Sequence, residues 1–182
     1  MSVITRSWLS FAAIGAGVIH LALVISSPLP IGIPLALFGL AELTWGVLIL
    51  VKDRLLVPRL AQAGAVTPLL LWSLLTVTAT LLAAPEIASS LRFVPMVIAA
   101  LFGLFIAGML SVTLRRQSGA EQPAVAQPAS AVRYLSAVIL AGILVGGLTT
   151  PALAATQAGS VALEHGGTMG GMMNMNMTGM GH

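Results

Sequence analysis

Apolar positions in this chain gather into five long, nearly unbroken runs rather than the alternating patches of a water-facing fold. The runs are residues 7–26 (SWLSFAAIGAGVIHLALVIS), 31–52 (IGIPLALFGLAELTWGVLILVK), 60–83, 92–114 and 134–154. A helix needs about 20 such residues to cross a hydrocarbon layer about 30 Å thick. The pattern therefore predicts five membrane spans. The breaks between them differ. Residues 26–30 (SSPLP) are a short turn and 52–59 (KDRLLVPR) a charged loop, while 84–91 carries Glu86. Residues 115–133 (RRQSGAEQPAVAQPASAVR) have no hydrophobic period and are rich in Ala, Pro and Gln. Pro68, inside the third run, predicts a kink.

The expected fold is all-α, an integral membrane bundle of five transmembrane helices, four plus one after a linker. Its expected parts are a four-helix bundle at 1–114, a cytoplasmic Ala/Pro linker at 115–132, a fifth span at 133–155 and a disordered, extracytoplasmic tail at 156–182. Composition agrees. Charged residues make up 7% of the chain, against about 25% in a soluble domain. The sequence pI near 10.7 suggests nucleic acid, but the cations sit at the ends of apolar runs, and no nucleic-acid partner is expected. Cysteine is absent, which excludes disulfides, thiolate metal sites and nucleophilic thiols. The first run continues without a small-residue cleavage site, so it reads as a retained span.

Charge orients the bundle. With the N-terminus inside, Arg6, Lys52, Arg54, Arg59, Arg115, Arg116 and Arg133 fall on the inner side, and only Arg92 falls outside. That asymmetry fits the positive-inside rule, and Trp8 and Tyr134 then anchor inner ends of spans. Five crossings put the C-terminal tail outside. A bacterial plasma membrane is the expected location, with the lipid bilayer as first partner. Small residues spaced four apart offer helix contacts: Ala13 and Gly17, Ala99, Gly103 and Ala107, and Gly142 and Gly146.

The tail carries the distinctive chemistry. Six of the nine methionines and two of the three histidines lie in residues 164–182, EHGGTMGGMMNMNMTGMGH. A thioether is a soft, neutral donor that favours Cu(I) over harder ions. It needs no deprotonation and forms no disulfide, so it keeps binding where a thiol fails. Met173, Met175 and Met177 alternate with Asn174 and Asn176; in an extended segment alternate side chains share a face. Met169 with Met172, and Met177 with Met180, add Met-x-x-Met spacings, and His165 and His182 supply imidazoles. The tail resembles the methionine-rich motifs of copper uptake transporters and of periplasmic copper-handling proteins. The resemblance implies Cu(I) or Ag(I) binding at these six methionines with the two histidines assisting. Copper uptake transporters have three spans and an intramembrane Met-x-x-x-Met pair that this chain lacks, so a copper channel is not implied. The competing interpretation is a low-complexity tail whose methionines bind nothing or act as oxidation sinks.

Two ionisable groups lie well within spans, His20 and Glu42. Such groups are costly in lipid and face a bundle interior or a wet cavity. Counted from the outer boundary at about 1.5 Å per residue, they differ in depth by about a turn and a half. Ser73 and Thr76 lie near their levels, and Ser73, Thr76 and Thr80 share a helix face. The expectation is a polar cluster of His20, Glu42, Ser73 and Thr76, open toward the outer side. It serves either as a proton or metal relay or as a hydrogen-bonded knot that fixes register. Trp45 and Trp72, at similar depth, are expected to pack.

Residues GLAELTWGVLILV of the second span resemble the Gly/Glu helix of small four-helix bacterial membrane proteins of the DoxX type. As a whole the chain is similar to uncharacterised multi-pass bacterial membrane proteins whose last span runs into a His- or Met-rich tail. That likeness implies no activity. Residues 133–155 also have the layout of a signal peptide with an Ala-x-Ala site at Ala152 and Ala154; an uncut span ending in small residues is the expected alternative. No Ser-His-Asp set, carboxylate pair or phosphate loop is present, so no enzyme is expected. The function expected is copper binding for buffering, delivery or transport, with a copper chaperone as partner. A structural accessory subunit of a larger membrane complex is the alternative, and a homo-oligomer remains open.

Overall fold

A computed structural model of the chain describes residues 2–52, 54–83, 92–118, 130–162 and 164. Its described residues are all-helical, with five helices: α1 (Val3–Val24), α2 (Leu29–Val51), α3 (Pro58–Leu81), α4 (Phe93–Ser118) and α5 (Ala131–Ala154). All five are long and apolar enough to cross a membrane. The helices begin where the chain supplies a start. The Ser2 hydroxyl accepts from the Thr5 amide at 3.2 Å and the Ser130 hydroxyl from the Arg133 amide at 3.4 Å, each satisfying a first-turn donor. Prolines open α2 and α3, where their missing N–H costs nothing.

α1 starts four residues before the first apolar run, because Ser2 caps it and a helix tolerates a polar turn at the membrane surface. α4 likewise carries Arg115 and Arg116 in its last turn, residues the hydrophobic pattern assigns to the linker. The remainder of that linker, 119–129, lies outside the described residues, as do Asp53, Glu86 and the tail beyond Glu164.

α1 is the axis of the bundle. It packs on α2, α4 and α5, while α3 packs on α4 and touches α2 only briefly. Leu9, Ala13, Ala16, Ile19 and Leu23 of α1 are fully buried. Close approach of α1 and α2 depends on glycine. A Cβ at Gly17 would stand 2.8 Å from the Gly39 carbonyl oxygen, and one at Gly46 3.0 Å from that of Ser10. Ser10 also donates to the Gly46 carbonyl at 2.7 Å. Gly103 lies directly on the Ala65 backbone, joining α4 to α3, and Gln62 Nε2 donates to the Ser111 hydroxyl at 2.7 Å. Small residues thus take the part in packing expected of them at Gly17 and Gly103. Gly142 and Gly146 differ: a side chain at either would meet nothing within 4 Å. They face away from the bundle.

Successive helices alternate in direction. Gly17 faces Gly39 and Ser10 faces Gly46, so α1 and α2 are antiparallel. Trp72 against Phe93 and Gln62 against Ser111 make α3 and α4 antiparallel. Arg92, just before α4, donates to the Ala155 carbonyl just after α5 at 2.8 Å. One end of the bundle therefore collects Arg6, Lys52, Arg54, Arg59, Arg115, Arg116 and Arg133, and the other has Arg92. At that second end the chain turns after α5. Thr156 is buried, its hydroxyl accepts from the Gly159 amide at 3.2 Å, and a further helical segment covers 157–162. Of the Ala-x-Ala stretch, Ala152 is fully buried and Ala154 is exposed, and the Ala155 carbonyl accepts from Arg92.

Candidate functional site

The polar centre of the bundle lies between α1 and α2. His20 Nδ1 and Glu42 Oε2 are 2.7 Å apart, and the His20 side chain is 2% exposed against 12% for Glu42. The depths counted from sequence differ by about a turn and a half, yet the two side chains meet. Helical side chains lean toward the N-terminus of their own helix. In an antiparallel pair the two leans converge, so His20 reaches down α1 and Glu42 up α2. The Gly17–Gly39 contact holds the two backbones close enough for the bond to close. The contact pairs an imidazole nitrogen with one carboxyl oxygen across the α1–α2 seam. Nε2 is buried with no hydrogen-bond partner among the described residues.

Ser73 and Thr76 stand elsewhere. Both are exposed, and the Thr76 hydroxyl donates to the Trp72 carbonyl of its own helix at 2.8 Å. α3 is not a neighbour of α1, so matching their depth does not bring these residues to His20. The structure thus joins two of the four residues expected to cluster. Trp72 packs on Phe93, with ring centroids 5.9 Å apart.

Beside the pair, α2 and α3 diverge and leave a cleft of about 690 Å³. Phe38, Trp45 and Leu48 of α2, Leu60 and Gly64 of α3, and Ile106 of α4 are among its walls, and Glu42 is another. The cleft runs from the level of Phe38, past Glu42, to Leu56 and Val57. Leu56 and Val57, just before α3, border it. Trp45 Nε1 donates to the Leu56 carbonyl at 2.9 Å, and Val57 takes a left-handed conformation at φ 42° to start α3. Trp45 therefore does more than pack. Sequence reasoning missed the cleft, although Gly64 on a lipid-spanning helix with no small partner four residues away was a signal of open space.

The proposed copper ligands His165, Met169, Met172, Met173, Met175, Met177, Met180 and His182 lie outside the described residues. Among the described residues no three His, Asp or Glu side chains gather as a metal site. Compared with protein-family models, curated proteins and solved structures, the chain has no match in any of the three.

Proposed function

We propose that this is a multi-pass protein of a bacterial plasma membrane that binds Cu(I) through a tail displayed outside the cytoplasm. The observation that carries the proposal is the concentration of six of the nine methionines in residues 169–180, beyond the last of five spans. The donor set fits a soft monovalent ion. Thioethers outnumber every other strong ligand there, and imidazoles from His165 and His182 can complete a coordination shell or hold Cu(II). The bundle's part is to anchor this tail on the side opposite the cations at the inner end. The tail would buffer copper, deliver it to a chaperone or feed a transporter, and no reaction is assigned to the chain. Competition titration of the full chain in nanodiscs against a chromophoric Cu(I) chelator tests the idea. Saturable binding that vanishes when all six tail methionines become serine is the expected result; equal competition by both proteins would remove the proposal.

A second reading, an accessory subunit of a larger membrane complex, is favoured by one observation. The Gly142 and Gly146 face of α5 is open, and small residues at that spacing admit another helix. Loss of a co-purifying membrane protein on Gly142→Leu, with copper tolerance unchanged, would favour that reading.

A further inference from the structure

We infer that the cleft between α2 and α3 is a binding site for a lipophilic cation, with Glu42 as its counter-ion. This is independent of the copper proposal. The volume, about 690 Å³, falls in the range of pockets that enclose a drug-sized molecule, about 300–1,000 Å³. The walls are aromatic and aliphatic, which suits a hydrophobic body. The one titratable group on those walls, among the described residues, is Glu42. His20 takes one carboxylate oxygen at 2.7 Å. The other oxygen has no hydrogen-bond partner among the described residues. His20 cannot add a second donor to the carboxylate, because its Nε2 is on the far side of the ring and buried without a partner.

No arginine or lysine stands near the pair. Lys52 is ten residues along α2 from Glu42, about 15 Å at the helical rise. A carboxylate that borders an apolar space at this depth, with one oxygen unengaged, is stabilised by a positive charge arriving in that space. A free acyl chain would fill the volume but offer the second carboxyl oxygen no partner. An anionic amphiphile would be repelled by it. An organic cation with an apolar body satisfies both the walls and the charge. His20 acts as a positioning residue, holding the carboxylate against α1 so that the remaining oxygen stays at the cleft surface.

Tetraphenylphosphonium is a suitable probe, measured by equilibrium binding to the full chain in nanodiscs, with empty nanodiscs as background. The expected result is saturable binding above background that weakens about tenfold or more in Glu42→Gln, the loss of one charged contact. Gly64→Leu supplies the second arm. A Cβ at Gly64 meets nothing within 4 Å and Gly64 lines the cleft, so a leucine there should occupy the cleft and abolish the saturable component, with helical circular dichroism confirming the fold. Binding equal to empty nanodiscs would overturn the inference. So would binding indifferent to Glu42→Gln, or a neutral tetraphenyl analogue that displaces the probe with equal potency, since either result makes the cleft a lipid-filled space.

Discussion

Helix α2 makes two interfaces of opposite character. Against α1 it brings glycine to glycine, with the Gly39 carbonyl close to Gly17 and the Gly46 carbonyl bonded to Ser10. Against α3 it leaves open space, bridged near the 52–57 turn by the Trp45–Leu56 bond. Without a hydrophobic driving force between helices in lipid, contact comes from close packing and interhelical hydrogen bonds. The α1–α2 seam has both, and the α2–α3 seam has little of either. The difference teaches where this bundle places its packing: one side of α2 is closely packed against α1, and the other side is left open toward α3. Glu42 sits at the boundary, bonded to the tight side and facing the open one.

Substitutions can break that contrast. The largest effect is expected from Gly17→Leu. A Cβ at this site already lies 2.8 Å from backbone, so a leucine must separate α1 from α2, at a cost of about 3 kcal/mol. Chemical unfolding in detergent micelles, followed by helical circular dichroism, measures it. Next comes His20→Ala, which leaves the Glu42 carboxylate against the α1 seam with no partner. Buried pairs in soluble proteins cost more to break than polar pairs in membranes, and a loss of about 2 kcal/mol is expected. Ser10→Ala removes one interhelical hydrogen bond and should cost about 1 kcal/mol. Gly64→Ala sharpens the contrast from the other side. Its Cβ meets open space, so the helix gains propensity and stability should rise by about 0.5 kcal/mol. If Gly64→Ala destabilised as much as Gly17→Leu, the two seams would not differ as described.

The spans were legible in the sequence because twenty apolar residues in a row leave a backbone few choices in lipid. Their ends were less so. The capping serine at Ser2 and the snorkelling pair Arg115 and Arg116 extend α1 and α4 past their apolar runs. His20 and Glu42 stood out as intramembrane ionisable groups, but their pairing depends on side-chain lean in an antiparallel pair, which depth alone does not give. Ser73 and Thr76 show the same limit more sharply. Sequence gives a residue's height in the membrane and its face on the helix; it does not say which helix that face meets. α3 lies against α4 rather than α1, so equal height brought no contact. Gly142 and Gly146 fail as an internal contact for that reason as well, since their face points out of the bundle. The cleft was illegible because its walls come from α2, α3 and α4 together, a combination that no single stretch of sequence displays.

What gives the bundle a purpose in this account is the side on which it leaves the methionines. The chain contains no cysteine, so a single introduced thiol reports its own location. Gly181→Cys and, separately, Ser130→Cys should be labelled with a membrane-impermeant maleimide in intact cells, then again after permeabilisation. The account predicts labelling of Gly181→Cys in intact cells and of Ser130→Cys only after permeabilisation. Labelling of Ser130→Cys in intact cells, with Gly181→Cys protected, would place the tail in the cytoplasm and contradict it.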